Sequence, residues 1–186
     1  SAVKDSFIIS MPLVMAASMF TLFNALAVNF FNSDIFSGLT TIVNQGTLGV
    51  LSVLIAFTTA SNLADYYLTN KPELANSGFT KIHAGGLAVA LMFMLMPTTQ
   101  QVVVEGLTDP VTISSMFSQN LTSSSGLIYS ILTALIGTEI FMRFAAIKRL
   151  RIKMPENVPP AIEKSFNALI PELLVIVIFA CIVFGL

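Results

Sequence analysis

The sequence predicts an all-α membrane protein with five transmembrane helices, and three observations support this fold class. Hydrophobic residues make up 55% of the 186 positions, charged residues make up 10%, and the mean hydropathy is +0.84, a composition far from that of a soluble domain. Five apolar stretches approach the roughly 20 residues that a helix needs to cross about 30 Å of hydrocarbon. Lysine and arginine residues occur only in or beside alternate connecting segments, which is typical of a multi-pass membrane protein.

The five predicted spans form a single membrane domain over residues 1–186. They cover residues 6–31, 47–68, 79–97, 126–147 and 166–186. The first carries Pro12 near its start, and we expect Asn24 and Asn29 to face protein rather than lipid. The connector between the first and second spans is expected to be short, and it contains Gly38 and Gly46.

Two loops on opposite sides of the membrane are predicted around the third span. Residues 69–78 are polar and contain turn-forming residues. Residues 98–125 are mostly polar, with Asp109 and Pro110 as a turn signal. We expect the second loop to be a partly structured extramembrane segment with a short helix near residues 111–117.

Residues 152–171 form a basic, proline-broken hinge before the fifth span. Pro155, Pro159 and Pro160 exclude one continuous helix, because proline lacks an amide proton and clashes with the preceding turn. A new helix is predicted directly afterwards, since proline suits the first helical turn and Glu163 favours the positive end of a helix. The hinge therefore separates the fourth span from the fifth.

The distribution of basic residues predicts the orientation. If the first residue is cytoplasmic, all of them lie on the cytoplasmic side: Lys4, Lys71, Lys81, Arg143, Lys148, Arg149, Arg151, Lys153 and Lys164. The two opposite loops contain Asp34, Glu105 and Asp109 but no lysine or arginine. The positive-inside rule therefore places the N-terminus in the cytoplasm and Leu186 on the outer side.

Few residues are candidates for chemistry. His83 is the only histidine, and no neighbour in sequence would orient it as a general base, so an interfacial structural role is favoured. Glu139 and Glu172 lie within predicted spans, where ionisable groups are often functional. Each has an ordinary explanation, because Glu139 can pair with Arg143 one helical turn later and Glu172 lies near the start of its span.

The sequence gives no basis for assigning a cofactor or a metal. Cys181 is the only cysteine, which excludes an internal disulfide and a cysteine-rich metal site. The sequence has no phosphate-binding loop and no dinucleotide-binding motif. The basic loop from Arg143 to Lys153 can attract anionic lipid, although it can also serve only as a topological anchor. No catalytic, cofactor-binding or metal-binding residue is therefore assigned, and the substrate-binding residues stay unknown.

Five segments of the sequence resemble those of a known family of membrane proteins. Residues 152–161 read IKMPENVPPA and residues 165–171 read SFNALIP, and residues 7–12 (FIISMP), 44–49 (NQGTLG) and 137–141 (GTEIF) stand at characteristic positions before them. The first two together resemble the segment that leads into the fifth span of membrane permeases of the bacterial phosphotransferase system, enzyme IIC component, of the lactose/cellobiose (diacetylchitobiose) family. The other three are similar to the same family in order and spacing.

This resemblance implies a bacterial cell-membrane component that takes up a disaccharide while a IIB subunit phosphorylates it. It also implies a homodimer whose interface lies in the first five spans, while the second half of the permease holds the sugar. The family's sugar-site motifs, Gly-x-His-Gly and Asn-Glu-Pro, do not occur in this chain. We therefore expect the chain to be the dimer-interface half, without the half that takes part in phosphotransfer, and His83 cannot take the role of the family's histidine.

Two alternatives to the permease interpretation stay open at this point. The chain could be a stand-alone five-span membrane protein that serves interaction or assembly without transport chemistry. It could also be an enzyme acting within the membrane, which would require His83 or Glu139 to find an acid or base partner. No such pair is evident from the order of the residues.

Overall fold

A computed structural model describes residues 1–31, 35–74, 77–102, 111–152 and 159–185 of the chain. Helices dominate these ranges, as the predicted all-α class requires, and one small antiparallel sheet is added. In chain order the elements are α1 (Ala2–Phe31), α2 (Ile35–Gly46), α3 (Leu51–Asn70), α4 (Lys81–Met94), β1 (Thr99–Val102), β2 (Val111–Ser114), α5 (Gln119–Thr122), α6 (Leu127–Ala146) and α7 (Pro160–Gly185).

Within the described ranges, four helical segments are long and apolar enough to cross a membrane. They are Ala2–Phe30, Phe36–Asn70, Ser124–Ala146 and Ile162–Gly185. Each overlaps one of the predicted spans, because an apolar run of this length in helical form satisfies all of its own backbone hydrogen bonds. The structure therefore agrees with a multi-pass membrane protein.

The third predicted span, residues 79–97, is shorter in the structure. Helix α4 has 14 residues, or roughly 21 Å at 1.5 Å per residue, which is less than the hydrocarbon thickness. It begins where the Thr80 side chain accepts a hydrogen bond from the His83 amide at 3.2 Å. It ends shortly before Pro97, which disfavours helical geometry at the residue before it.

The connector between the first two predicted spans contains helix α2, so helical structure begins well before residue 47, the predicted start of the second span. Helix α2 packs against α1 through polar side chains: Thr40 Oγ1 donates to the Phe20 carbonyl at 3.4 Å, and Asn44 Nδ2 donates to Thr21 Oγ1 at 3.2 Å. Its apolar residues Leu39 and Ile42 are exposed instead. This reversed polarity suits a helix surrounded by lipid, where association depends on polar contacts and close packing.

The loop at residues 98–125 contains a hairpin in place of the short helix expected near residues 111–117. Strands β1 and β2 pair antiparallel, with Gln100 opposite Ile113. β-Branched residues dominate β2, which favours a strand. Residues 103–110, including the predicted turn at Asp109 and Pro110, lie outside the described residues.

Helix α7 begins at Pro160, six residues before the predicted start of the fifth span. The Pro159 carbonyl accepts hydrogen bonds from the amides of Ile162 at 3.0 Å and Glu163 at 3.2 Å. Pro160 therefore occupies the first helical position, where its missing amide proton costs nothing. Pro155 and its neighbours in the hinge, residues 153–158, lie outside the described residues.

Helices α3, α4 and α6 form the centre of the bundle, and α1 and α7 pack on its outside. The core contains Leu91 and Met92 of α4 together with Phe141 of α6, all fully or almost fully buried. Gly85 lets α4 approach α3 closely, because a Cβ atom at that position would lie 2.6 Å from Ser61 Oγ. Neighbouring Gly86 faces open space.

The described basic residues gather at one end of the bundle, here called the basic end. The start of α1 meets the last half of α3 there, through a hydrogen bond of 3.2 Å from Asn62 Nδ2 to Ser6 Oγ. The guanidinium of Arg151, after α6, donates to the Glu73 carbonyl, after α3, at 3.0 Å. At the opposite end, the Ser52 hydroxyl donates to the Leu121 carbonyl at 2.7 Å.

Candidate functional site

The ionisable side chains of the described chain are concentrated at the basic end, where α3, α4, α6 and α7 meet. Besides an ion pair within the first turn of α1, three ion pairs occur in the described residues, and all lie at this end. One of them joins Lys81 at the start of α4 to Asp65 of α3 at 2.6 Å. The other two involve the acidic residues that the sequence singled out, Glu139 and Glu172.

Glu139 connects α6 to α3. Its Oε1 atom accepts a hydrogen bond of 2.9 Å from Arg143 Nε, which is the predicted i,i+4 pair. Its Oε2 atom accepts a hydrogen bond from the Tyr67 hydroxyl of α3. The carboxylate is thus satisfied from two helices, as an ionised group near hydrocarbon requires.

Lys71, the residue after α3, lies beside this pair. Its Nζ atom is 3.4 Å from Met142 Sδ and 5.3 Å from the centroid of the Tyr67 ring. A thioether is a weak acceptor, and a ring face attracts a cation only modestly. In the described part of the chain, Lys71 therefore stands near Glu139 without forming a close ion pair.

His83 and Glu172 form the contact that sequence reasoning missed. His83 Nδ1 lies 2.8 Å from Glu172 Oε1, and the two side chains are 26% and 28% exposed. They lie 89 positions apart, so no local pattern could have revealed the pair. The carboxylate can orient the imidazole by accepting a hydrogen bond from Nδ1.

The start of α7 is held by backbone contacts as well as by this pair. The Asn167 side chain, buried against the bundle, accepts a hydrogen bond of 2.8 Å from the Ile152 amide. Gly78 has a φ of +74° and lies directly against the backbone of α7 near Lys164 and Ala168. A glycine is required there, because it tolerates positive φ and carries no Cβ atom.

These contacts place the candidate residues in separate partnerships. His83 contacts Glu172, and Glu139 contacts Tyr67 and Arg143. His83 and Glu139 are therefore not brought together as an acid and a base. The described residues contain no group of three or more His, Cys, Asp or Glu side chains that could hold a metal ion. Cys181 is exposed in the last turns of α7.

We expect His83 and Glu172 to be energetically coupled. Replacing either residue by alanine removes the contact, and the double variant His83→Ala with Glu172→Ala should lose less stability than the two single variants added together. For a partly exposed charged pair the coupling should be about 1 kcal/mol. Unfolding in mixed detergent micelles, followed by circular dichroism, measures it.

A second double-variant cycle, at Lys4 and Glu163, distinguishes this specific contact from a general effect of removing surface charges. Lys4 and Glu163 lie on different helices and neither touches the pair, so their cycle should give a coupling near zero. Additive losses at His83 and Glu172 would contradict the contact.

The similarity of the chain to known proteins extends over nearly all of it. The family model described as phosphotransferase system, EIIC, matches residues 4–186. The crystal structure of the transporter ChbC, the IIC component from the N,N'-diacetylchitobiose-specific phosphotransferase system, superposes with a TM-score of 0.80 at 25% identity, covering 97% of this chain and 41% of ChbC.

Two relatives from bacteria agree with this match. A cellobiose-specific EIIC component of Geobacillus stearothermophilus is 26% identical over 95% of this chain and 38% of its own length. A lactose-specific EIICB component of Staphylococcus aureus (strain COL) is 29% identical over 95% of this chain and 29% of its own length. The chain thus spans about two fifths or less of the relatives that it matches. It belongs to the EIIC family of the phosphotransferase system.

Proposed function

We propose that this chain supplies the scaffold and dimer-interface half of a sugar-transporting permease of the phosphotransferase system. The observation that carries the proposal is the superposition of 97% of the chain on 41% of ChbC at a TM-score of 0.80. The substrate-binding half would then lie in sequence beyond this domain. The alternative of a stand-alone assembly protein is disfavoured, because the similarity to permease components covers nearly the whole chain.

Five membrane crossings are part of this proposal. Helix α4 is too short alone, but the residues after Met94 extend its path past Met96, which is 4% exposed. Lys71 and Lys81, on either side of the loop before α4, lie at the basic end with Arg151. This clustering supports a cytoplasmic N-terminus and an outer C-terminal end in a bacterial cell membrane.

Two kinds of neighbour are proposed for the outer surface of the bundle, membrane lipid and a second copy of the chain. Helix α1 exposes large apolar side chains along its length, including Ile8 at 53%, Met15 at 62% and Phe23 at 56%. Such a surface must be covered by lipid tails or by protein. A homodimer formed through this half would cover part of it.

The partner in phosphotransfer is proposed to be a IIB component, and the substrate a disaccharide. The relative in Staphylococcus aureus is itself described as an EIICB component. The names of the relatives specify cellobiose, lactose and N,N'-diacetylchitobiose. These three sugars are therefore the first candidates for the intact permease.

A comparison of two preparations tests the proposal. The chain of residues 1–186 and the whole product of its gene are purified in the same detergent, and thermal unfolding is measured with each of the three disaccharides. We expect the whole product to be stabilised by at least one sugar and the chain alone by none, because a ligand stabilises only the state that binds it. Both preparations should cross-link as dimers.

Two results would contradict the proposal. One is a gene product in native membranes no larger than the 20.0 kDa of this chain, measured by immunoblotting. The other is a clear sugar-dependent shift of the chain alone, which would place a sugar site within the five spans.

A further inference from the structure

A groove between α3 and α6 opens on the flank of the bundle just inside the basic end. Its cavity volume is about 430 Å³. The wall is apolar and is formed by Leu63 of α3 with Leu135, Ile136 and Ile140 of α6. Ile136 is 51% exposed, so the groove faces the surroundings of the bundle rather than its core.

The end of this groove is polar and positively charged. Tyr67, Glu139 and Arg143 line it, and Lys71 lies against Tyr67. Two cations stand beside one carboxylate, which leaves one positive charge in excess. The carboxylate already accepts hydrogen bonds from Tyr67 and Arg143.

Both cations have donor capacity for a further acceptor. Arg143 uses Nε for Glu139, and its side chain is 73% exposed, so the rest of its guanidinium fork can approach a phosphate. The ammonium of Lys71 contacts a thioether and a ring face, which are weaker acceptors than a phosphate oxygen. The positive charge at this end of the groove is thus only partly compensated.

We propose that this groove binds one anionic glycerophospholipid, with its phosphate at Lys71 and Arg143 and an acyl chain along Ile136 and Ile140. The length of the groove suits part of an acyl chain, since Arg143 lies eight positions after Leu135, a rise of roughly 12 Å along α6. Arg143 lies in the last turn of α6 and Lys71 directly follows α3, so both belong to the helix ends, where headgroups are expected. Tyr67 has the amphipathic ring typical of that level. The combination of an apolar trough and a cationic end complements the two parts of such a lipid.

This inference rests on the membrane placement in the proposed function but not on sugar transport. Its test therefore measures lipid binding alone. The purified chain is titrated in neutral detergent with phosphatidylglycerol and with phosphatidylcholine of the same acyl chains, and bound lipid is counted by native mass spectrometry. We expect one phosphatidylglycerol to bind at least tenfold more tightly than phosphatidylcholine.

The double variant Lys71→Gln with Arg143→Gln should weaken phosphatidylglycerol binding about 30-fold. Each cation near a headgroup is worth about 1 kcal/mol, and 1.4 kcal/mol is tenfold. Lys148→Gln with Arg149→Gln is the matched control, because both residues are exposed at the same end and neither lines the groove. The control should bind as the original chain does.

A second variant keeps every charge and fills the trough. Ile136→Trp should also abolish the preference for phosphatidylglycerol, because the exposed position accepts the larger ring while the acyl chain loses its place. Removal of Arg143 takes a hydrogen bond from Glu139 and could by itself destabilise α6. Ile136→Trp leaves that contact intact, so it tests the groove independently. Circular dichroism verifies that each variant is folded.

Three outcomes would overturn the proposal. Equal binding of the two lipids would exclude a headgroup-specific site. Equal losses in the groove variant and its control would show a diffuse surface attraction. Full competition by soluble glycerol phosphate would show a site for a free anion rather than for a lipid. Each of these results leaves the sugar-dependent test of the proposed function unaffected.

Discussion

Replacing Gly78 by alanine is expected to detach the start of α7 from the bundle. The residue has a φ of +74°, which costs an L-residue roughly 1–2 kcal/mol. A Cβ atom there would also collide with backbone atoms of Lys164, Asn167 and Ala168, and a helix backbone cannot move aside as a side chain can. We expect a loss of about 3 kcal/mol or more in the free energy of unfolding, measured by denaturant titration in mixed micelles.

Gly86→Ala is the matched control for this variant. Gly86 lies within α4, and a Cβ atom there would meet nothing within 4 Å. Alanine is the better helix former, so this change should be neutral or stabilise by up to about 1 kcal/mol. Equal stabilities of the two variants would show that the close contact between the α3–α4 loop and α7 does not contribute to the free energy of unfolding.

Phe141→Ala is expected to be the most damaging change in the core. Phe141 of α6 is fully buried, and its ring centroid lies 5.0 Å from that of Phe79, at an interplanar angle of 51°. Removal of the ring leaves a cavity where α6 meets the segment before α4. Cavities of this kind cost about 3–5 kcal/mol, and the same micellar unfolding experiment measures the loss.

An exposed phenylalanine provides the comparison. Phe184, in the last turn of α7, is 95% exposed, so Phe184→Ala should change stability by less than about 0.5 kcal/mol. A similar loss in both variants would mean that lipid contact, rather than packing, determines the contribution of these rings.

The long apolar helices were the most predictable part of the fold. The predicted fourth span, residues 126–147, nearly coincides with α6, because an uninterrupted apolar run has few alternatives to a helix. The predicted third span is longer than helix α4 at both ends. Phe79 and Met96 are apolar residues that are buried in the bundle but lie outside the helix. Apolar character alone does not distinguish a spanning residue from a buried one.

Two segments outside the predicted spans have structures that were not predicted. Helix α2 occupies the predicted connector, where Gly38 and Gly46 are open positions and polar contacts with α1 support the helix. A short helix was predicted where strand β2 lies, although the β-branched residues of this segment favour a strand. In both cases the structure depends on a neighbouring element, α1 for α2 and β1 for β2, that the local sequence does not reveal.

The candidate site also contains both contacts that the sequence predicted and contacts that it did not. Glu139 and Arg143 were paired correctly, because four positions along a helix correspond to one turn. Tyr67, which completes that contact, comes from a different helix and carries no sequence signal. The pairing of His83 with Glu172 depends on how α4 packs against α7, and that packing is a property of the whole bundle.

The position of α7 in the sequence also determines when its contacts with Gly78 and His83 can form during synthesis. The partner of His83 is made 89 residues later, and at 5–20 residues per second this interval is roughly 4–18 s. Throughout that time Gly78 and His83 lack the contacts that α7 provides. Helices α1 to α6 are therefore synthesised before the surface that α7 covers is filled.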